Sequence, residues 1–354
     1  MSDFKVEIVR VGKIGKHPNA DSLSITHVYD YPVIIKTDNL KEGDLAVYIP
    51  VDAVVPDTEP FKFLKGHLRI KARKLRGIFS MGLLMSCQSL REQTNWDPYN
   101  VSSSFLGCDV AAQLGITKYE QPVDPKTTCG DADKDTGVMP KYTDIQHQRK
   151  YGNLIPDDME VVLTEKVHGA NGRVCVTQEV NPETGILENK MYVGSHNTIK
   201  KYNPQVLWWK VCEAAGLKEK LSERPCPDFV FYFEVYGWVQ DLRYGHSQNE
   251  QSIAFFDIFD RKRGIYLDYD DQRRIFKALD LPVVPRLFRG TYGEAKKLLP
   301  EFKHTFLVEN PNGHIMEGVV IKPVVETWNE EVGRLVLKYI TEDYLLRKNG
   351  TEAH

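Results

Sequence analysis

The sequence contains no long apolar run. Nowhere in its 354 residues do apolar side chains continue for the roughly 18 positions that a membrane-spanning helix requires. The first residues, MSDFKVEIVRVG, also lack the basic and apolar segments of a secretory signal. We therefore expect a cytoplasmic protein that does not contact a membrane.

Cysteine is scarce and scattered. The six cysteines stand at positions 87, 108, 129, 175, 212 and 226, with no CxxC pair and no cysteine–histidine spacing of the zinc-site kind. This pattern disfavours disulfide-stabilised and zinc-dependent folds, and we expect reduced thiols.

Charge of either sign is nearly balanced, since the formal net charge is −3. This argues against a protein coated in basic charge, although net charge hides local patches. The segment KFLKGHLRIKARKLR, residues 62–76, holds seven lysines or arginines. Alternate residues of a strand share a face, so we expect Arg69, Lys71 and Arg73 to contact the backbone phosphates of a nucleic acid together.

The chain length favours two domains. Residues 4–54 alternate short β-type runs with turn signals, which is typical of a small β-barrel or sandwich, and the predicted first domain extends over 1–117. Residues 118–150 are rich in Pro, Asp, Gly and Thr and are predicted to be a linker. In residues 151–354, strands mix irregularly with helices predicted at 203–221, 270–280 and 292–299, which indicates an α+β domain.

Charged residues stand inside or at the ends of several apolar strands of the second domain. Lys166 lies in TEKVHGANGRV, Glu234 in FYFEVYG, Glu317 and Lys322 in MEGVVIKP, and Lys338 in RLVLKY. A charge on a buried strand is costly unless it is paired or used. These positions are therefore candidate functional residues.

The ordered series KVHGAN, FYFEVYG, AFFDIF, EGVVIK and LVLKY resembles motifs I, III, IIIa, IV and V of the covalent nucleotidyltransferases. That superfamily contains ATP- and NAD-dependent ligases and mRNA capping enzymes, and the resemblance covers about residues 158–345. His168 before Gly169, with Asn171 closing the motif, is most similar to the RNA ligase branch. The resemblance implies an antiparallel-sheet nucleotidyltransferase domain.

The N-terminal motifs carry a second resemblance. HPNADSLSI, followed by RKLRGIFSMGLLMS, is similar to the OB-type tRNA-binding modules attached to some aminoacyl-tRNA synthetases. An OB-type β-barrel ahead of the catalytic domain resembles one group of ATP-dependent RNA ligases. The chain stops shortly after Lys338, so we expect no second OB module after the last motif.

The resemblance implies that the enzyme seals 3′-hydroxyl and 5′-phosphate ends of RNA, with ATP as cofactor and a lysyl-AMP intermediate. Lys166 would be the nucleophile, and Lys322 and Lys338 would neutralise phosphate charge. Glu234 and Glu317 would hold the ribose or a hydrated Mg²⁺ or Mn²⁺, and which glutamate does which stays open.

Further nucleotide contacts are implied on three strands. Phe256, with Ile258 on its side of the strand and Phe255, Asp257 and Phe259 on the other, would stack on adenine, although an ordinary core phenylalanine is the alternative. Glu165, like His168 and Asn171 of the same motif, is a candidate nucleotide contact. The segment GSHN would supply Ser195 and Asn197 to the nucleotide and His196 to the nucleic acid, unless it is only a hairpin turn.

The last motif departs from the family pattern. Ligases of this superfamily commonly end it as KxK, whereas the second position after Lys338 is Ile340. Either Lys338 serves the α-phosphate alone, or Arg334, predicted four residues earlier on the same strand face, supplies the second charge.

Three other functions remain as alternatives. A GTP-dependent capping-type guanylyltransferase and a DNA ligase are both disfavoured by His168 and by the expected lack of a C-terminal OB module. A non-catalytic RNA- or tRNA-binding protein on the same scaffold would have no reason to keep buried charges. We expect a monomer that acts on RNA, including a nicked duplex of RNA or of RNA with DNA.

Overall fold

The computed structural model describes residues 4–93, 103–120, 132–134, 137–222, 226–309 and 313–347. These residues form two compact units. The first is drawn from Met1–Pro122, Arg149–Gly152 and Leu345–His354, and the second from Val123–Gln148 and Asn153–Tyr344. Within the described residues, no helix has the length and apolar character to cross a bilayer.

The described part of the first unit is built from ten short strands and several 3₁₀ helices. Its strands are β1 (Glu7–Arg10), β2 (Gly15–Lys16), β3 (Leu23–Val28), β4 (Tyr31–Lys36), β5 (Leu45–Ile49), β6 (Ala53–Val54), β7 (Arg73–Leu75), β8 (Ile78–Ser80), β9 (Leu83–Ser86) and β10 (Thr117–Lys118). All of its pairings are antiparallel, in sheets ordered β1-β5-β9 and β2-β3-β4 and in the pairs β6-β10 and β7-β8. The 3₁₀ helices cover Glu59–Leu64, Cys87–Gln93 and Ser103–Phe105.

Strand β5 explains why this unit has two apolar clusters. Its alternate residues point in opposite directions. Val47 and Ile49 pack in the cluster that contains Ile8, whereas Ala46 and Tyr48 pack in the cluster that contains Val33. The nearly continuous apolar run LAVYI is therefore buried on both faces of its strand.

The second unit contains two sheets and most of the helices. Its strands are β11 (Gln146–His147), β12 (Glu160–Lys166), β13 (Ala170–Val180), β14 (Leu187–Ser195), β15 (Ile199–Lys200), β16 (Phe229–Gly237), β17 (Gln251–Asp260), β18 (Ile265–Tyr266), β19 (Arg286–Thr291), β20 (Gly318–Pro323), β21 (Trp328–Asn329), β22 (Gly333–Arg334) and β23 (Leu337–Ile340). The five-stranded sheet has the order β11-β23-β20-β12-β19, and the six-stranded sheet has the order β15-β14-β13-β16-β17-β18. A two-stranded ribbon, β21-β22, accompanies them.

The α-helices of the described chain are short. They are α1 (Gln148–Tyr151), α2 (Leu207–Ala214), α3 (Leu217–Ser222), α4 (Tyr269–Ala278), α5 (Tyr292–Leu298) and α6 (Glu342–Leu346), and further 3₁₀ turns cover Gly152–Leu154, Cys226–Asp228 and Leu299–Glu301. Strands and helices do not alternate regularly, and every described sheet pairing except the two-residue pair β11-β23 is antiparallel. The predicted α+β class with antiparallel sheets is confirmed.

Two predicted elements are divided in the structure. The helix predicted at 203–221 is α2 and α3, because Gly216 adopts a left-handed φ of 61° between them, as glycine does at helix ends. The strand predicted through GRLVLKYI is β22 and β23. The N–H of Val336 donates to the carbonyl of Arg334 at 2.9 Å, which closes a tight turn between the two strands.

The predicted linker at 118–150 lies partly outside the described residues, which omit 121–131, 135 and 136. Its described residues 118–120 and 149–150 belong to the first unit, whereas 132–134 and 137–148 belong to the second. Met139 and Tyr142 are buried there against Tyr232 of β16. This portion of the segment therefore contributes to the core of that unit.

Candidate active site

Lys166 is the last residue of β12, where the chain leaves the five-stranded sheet for the six-stranded sheet. Its partner across the strand pair is Gly318 of β20. The Lys166 Nζ lies 2.5 Å from Oε1 of Glu317, the residue before β20. Glu317 is only 2% exposed, so the structure joins these two predicted site residues in one largely desolvated ion pair.

Three lysines share one face of the five-stranded sheet. Lys166 is opposite Gly318, Lys322 is opposite Val162, and Lys338 is opposite Val320. Residues directly opposite in antiparallel strands share a face, and the alternation along β12 and β20 places all three positions on the same side. The register positions of Lys166 and Lys322 are four residues apart, roughly 13 Å along the strand.

His168 is held on both ring nitrogens. Its Nε2 lies 2.6 Å from Oδ1 of Asp241 and its Nδ1 lies 2.9 Å from the hydroxyl of Tyr344. Its backbone N–H donates to the Tyr244 hydroxyl at 2.8 Å, and Nδ1 is 3.6 Å from Oε2 of Glu317. The imidazole is thus fixed beside the carboxylate that pairs with the candidate nucleophile.

The turn after His168 requires a residue without a side chain. A Cβ at Gly169 would lie 2.0 Å from the carbonyl oxygen of Val235 and 3.1 Å from Cγ of Glu234. Asn171 of β13 is paired with Glu234 of β16, so the two share a face of the six-stranded sheet. The Oδ1 of Asn171 is buried and accepts no hydrogen bond from any described residue, although its backbone carbonyl accepts one from Trp208.

Lys322 belongs to a buried ionic cluster that the sequence analysis did not identify. Its Nζ lies 3.1 Å from Oδ1 of Asp257 and 2.8 Å from Oε1 of Glu326, and Arg334 pairs with the same two carboxylates. Burial by itself would raise the pKa of Asp257. The charges of Arg334 and Lys322 and the hydrogen bonds from Arg334 and Tyr142 hold that pKa below its ordinary value.

The predicted position of Arg334 was wrong. Arg334 lies on β22 and Lys338 on β23, so they do not occupy one strand face. The Arg334 side chain is 2% exposed, its guanidinium binds Asp257 and Glu326, and it stacks 3.6 Å from the ring centroid of Tyr266. In this arrangement it balances the charge of the buried cluster.

The predicted face of Phe256 was also wrong with respect to Ile258. The pairing of β16 with β17 shifts register, because Tyr232 is opposite Asp257 while Phe233 is opposite Phe255. This bulge places Phe255 and Ile258 together in the main core. Phe256 instead lies with Phe259 in the cluster around Tyr142.

Phe256 keeps part of its ring accessible. Its centroid is 5.0 Å from that of Tyr142, in an edge-to-face arrangement. It also packs in the small cluster that contains Val167, the residue after Lys166. The structure therefore brings Phe256 next to the segment that carries Lys166.

Glu165 points away from Lys166, because successive residues of a strand face opposite sides of the sheet. It is 1% exposed, and it accepts hydrogen bonds from the Thr305 hydroxyl at 2.5 Å and from the backbone N–H of Phe306 at 2.8 Å. Burial raises its pKa to about 7, against the lowering effect of those two hydrogen bonds. Thr305 and Phe306 were not identified from the sequence.

The GSHN segment is a hairpin turn between β14 and β15. The Ser195 hydroxyl lies 3.1 Å from that of Thr198, and Ser195 is paired with Gly172, next to Asn171. Burial lowers the pKa of His196, while Asn197 is exposed. The turn thus lies at the same end of β13 as Asn171. This position fits both a nucleotide-contacting segment and a plain hairpin turn.

The basic segment in the first unit is only partly available for binding. Arg69 is bound to Asp52, with Nη2 2.6 Å from Oδ1, and its guanidinium lies 3.6 Å from the ring centroid of Tyr119. Lys71 and Arg73 are exposed, and the intervening Ala72 is buried. The alternation predicted for this stretch is present, but Arg69 has a partner within the unit.

Several residues of the second-unit site went unnoticed in the sequence. Asp257 stood in the apolar run AFFDIF, where a buried carboxylate already requires a partner, so a signal existed. Asp241, Glu326 and Tyr344 lie in irregular or helical segments without such a pattern. Only the tertiary contacts identify them.

Comparison with known structures shows a shared fold over nearly the whole chain. A lysine-to-alanine mutant of the Naegleria gruberi RNA ligase with ATP and Mn matches with a TM-score of 0.75 and 21% identity, covering 96% of this chain and 98% of that one. The same ligase with PPi matches with a TM-score of 0.75 and 22% identity, covering 97% and 98% of the two chains.

Curated relatives match a shorter stretch. The phenylalanine–tRNA ligase beta subunit of Ehrlichia ruminantium is 33% identical over 125 residues, and that of Anaplasma marginale is 29% identical over 126 residues. Each match covers 31% of this chain, and the chain spans about 15% of the length of these relatives.

Family models match both parts of the chain. Residues 5–87 match an OB-fold domain, which confirms the predicted N-terminal fold. Residues 159–340, just over half of the chain, match the RNA ligase model, and they contain all the residues of the second unit that were predicted to form the site. The prediction of an RNA ligase domain preceded by an OB-fold domain is confirmed, and the chain belongs to the RNA ligase family.

Proposed function

We propose that this protein is an ATP-dependent RNA ligase that joins 3′-hydroxyl and 5′-phosphate ends through AMP carried on Lys166. The observation that carries the proposal is the position of Lys166. Its amine ends a buried strand, pairs with Glu317 at 2.5 Å, and lies on the same sheet face as Lys322 and Lys338.

The proposed reaction has three steps. The deprotonated amine of Lys166 attacks the α-phosphorus of ATP, so that an N–P bond forms and the bond to pyrophosphate breaks. The AMP then passes to the 5′-phosphate of the RNA, and the lysine is released. The 3′-hydroxyl finally attacks the phosphorus of the RNA 5′-phosphate. The phosphodiester bond forms, the bond from this phosphorus to AMP breaks, and AMP leaves.

The side chains around Lys166 suit a nucleotide. Phe256 offers a partly accessible ring beside Val167, and an aromatic face can stack on adenine. Lys338 and Lys322 lie on the sheet face of the nucleophile and would stabilise negative charge on the phosphates. Because Lys322 is already paired with Asp257 and Glu326, part of its charge is balanced within the protein, and its third N–H would be the donor to a phosphate.

A divalent cation is the second expected cofactor. The described residues contain no group of three or more His, Cys, Asp or Glu side chains arranged to hold a metal. Mg²⁺ commonly binds one or two carboxylates together with substrate phosphates, so Glu317 and Glu234 fit such a site, and Asn171 Oδ1 is a buried acceptor nearby without a donor. The cation would supply positive charge at the phosphates. The related structure of a Naegleria gruberi RNA ligase mutant with ATP and Mn supports this choice.

The proposed substrate is RNA with a break that carries the two reactive ends, including a nick in a duplex. We further propose that residues 1–117 act as an OB-type nucleic-acid-binding domain. Residues 118–150 would connect it to the catalytic domain, which residues 151–354 would form. A monomer would suffice, because the predicted catalytic residues all come from one chain.

The deciding experiment is the transfer of label from α-labelled ATP to the protein. We expect labelled polypeptide with Mg²⁺ or Mn²⁺, no label from GTP, and no label in Lys166→Arg. Arginine keeps the positive charge beside Glu317. A loss of label in Lys166→Arg would therefore result from the missing nucleophile and not from an unpaired Glu317. Lys190→Ala on β14, whose lysine is exposed, is the matched control and should label normally.

The opposite outcome has a clear meaning. If folded protein takes no label with either metal, the ligase proposal fails, and a non-catalytic RNA-binding scaffold becomes the better reading. Label from GTP instead would indicate the capping-type activity.

A further inference from the structure

The first unit presents a short basic hairpin whose turn is held in a left-handed conformation. Strands β7 and β8 pair from Arg73 opposite Ser80 to Leu75 opposite Ile78. The two residues between them, Arg76 and Gly77, have φ values of 49° and 87°. Two successive positive φ values are typical of the tight hairpin turn that favours Asn-Gly, so arginine at the first position is under local strain.

The HPNAD segment holds this turn through side chains. The Nδ1 of His17 accepts a hydrogen bond from the backbone N–H of Asn19 at 3.0 Å, so its other nitrogen, Nε2, must carry the proton of a neutral ring. That Nε2 donates to the carbonyl of Leu75 at 3.1 Å, and the Asn19 Nδ2 donates to the carbonyl of Arg76 at 2.9 Å. His17 is 1% exposed.

These bonds have an electrostatic consequence. The carbonyls of Leu75 and Arg76 are turned onto His17 and Asn19, so their negative ends are bound within the unit. Phe79 and Ala72 are buried beneath the hairpin, and Ser80 accepts a hydrogen bond from Ile34 N–H at 3.0 Å. The hairpin is thus fixed from below and at its turn.

The basic side chains of the segment fall into two groups. Arg69 is bound to Asp52 and Lys62 lies 3.4 Å from Asp57, so these two are neutralised within the unit. The other group is exposed and makes no ion pair within the described residues: Lys65, Lys71, Arg73, Lys74 and Arg76, of which Lys65 alone lies far from the hairpin in sequence. An exposed cluster of one sign on a rigid hairpin is suited to a chain of phosphates.

We propose that the β7–β8 hairpin is a preformed docking surface for the RNA backbone, that Arg73, Lys74 and Arg76 make the phosphate contacts with Lys71, and that His17 and Asn19 are positioning residues for them. This inference rests on the proposed function in its choice of RNA as partner. In this proposal the residues of the hairpin, and not Arg69, make the main contacts with the phosphates.

Two variants separate charge from position. Arg76→Asn removes one charge but keeps a residue that tolerates the left-handed turn, so the hairpin should persist. Asn19→Ala removes the hydrogen bond to the Arg76 carbonyl but leaves every charge in place. Lys41→Ala and Asn39→Ala, at exposed positions of another turn in the same unit, are the matched controls.

The measurement is the affinity for a fluorescein-labelled nicked RNA duplex at several KCl concentrations. For Arg76→Asn we expect weaker binding and a salt slope, d log K/d log[KCl], smaller by a little under one, as for one lost phosphate contact (about 0.9 for duplex DNA). For Asn19→Ala we expect binding about fivefold weaker with a nearly unchanged slope, because the charges remain. Both controls should bind like the parent protein.

Two results would overturn the inference. An Arg76→Asn slope equal to that of Lys41→Ala would remove the hairpin as the phosphate contact. An Asn19→Ala affinity equal to that of Asn39→Ala would remove the positioning role. Adenylylation of Lys166, measured on every variant, keeps these results apart from a failure of the ligase proposal, in which the parent protein itself takes no label.

Discussion

Neighbouring residues on β12 meet opposite environments. Lys166 is partly exposed and paired with Glu317, whereas Glu165, one position earlier, is buried against Thr305. The difference follows from the twofold alternation of a strand. It gives the adjacent side chains different environments: one partly exposed amine in an ion pair, and one buried carboxyl whose pKa burial raises to about 7.

The raised pKa of Glu165 predicts a pH-dependent stability. The ordinary pKa is 4.5, so between about pH 4.5 and pH 7 the folded protein keeps a proton that the unfolded chain releases. The contribution of this group is therefore complete below pH 4.5 and is lost as the pH rises through 7. Glu165→Gln does not titrate and can keep both hydrogen bonds.

We expect Glu165→Gln to gain stability relative to the parent between pH 5 and pH 8, on the order of 3 kcal/mol. Urea unfolding of both proteins at several pH values measures this difference. A constant difference across the range would contradict a buried carboxyl that titrates near neutrality.

At the scale of elements, the site depends on the link between β12 and β13. This link carries the chain from one sheet to the other within three residues, Val167 to Gly169. It can do so because Gly169 lets the backbone approach Val235 of β16. The same approach brings Glu234 beside the turn that follows Lys166.

Gly169→Ala should therefore be strongly destabilising. Its Cβ would lie 2.0 Å from a backbone oxygen, which a strand in the centre of a sheet cannot easily yield. We expect a loss of at least about 2 kcal/mol in the free energy of unfolding and a reduced yield of the AMP adduct.

The control is Gly15→Ala, whose Cβ would lie 3.8 Å from the Ile25 carbonyl oxygen, an ordinary van der Waals distance. It should change stability little. Equal and small effects of the two substitutions would show that the link can move away from Val235 at low cost.

At the scale of the whole molecule, the chain forms two compact units with separate apolar cores. The candidate catalytic side chains all lie in the second unit, and the basic hairpin lies in the first. The two proposals therefore place nucleotide binding and docking of the RNA backbone in different units.

This division predicts two unfolding transitions. A non-reacting analogue, α,β-methylene-ATP with Mg²⁺, should raise the melting temperature of one transition and leave the other unchanged. At a free concentration of 100 times Kd the stabilisation amounts to about 2.7 kcal/mol. Scanning calorimetry measures it, and a single transition that moves as a whole would contradict independent units.

The sequence by itself determined the fold class and the family. Alternation of apolar residues is a local property, so it predicts strands such as β12, β13 and β16 and the opposite orientations of Glu165 and Lys166. The resemblance of the five ordered motifs predicted the RNA ligase family. The turn-rich N-terminal strands predicted a small β-barrel or sandwich, and the resemblance of HPNADSLSI and RKLRGIFSMGLLMS to OB-type modules predicted the OB fold. The roles of the individual site residues and the domain boundaries stay predictions.

Only the tertiary structure decided how those residues are paired. The contact of Lys166 with Glu317 joins positions 151 residues apart, and the cluster of Lys322, Asp257 and Arg334 joins three separate strands. A bulge in β17 determines which face of the sheet Phe256 occupies. An ion pair with Asp52 holds the Arg69 side chain within the unit. The sequence pattern indicates which residues are buried. Which side chains pair depends on distances between strands that are far apart in sequence, and no local pattern contains those distances.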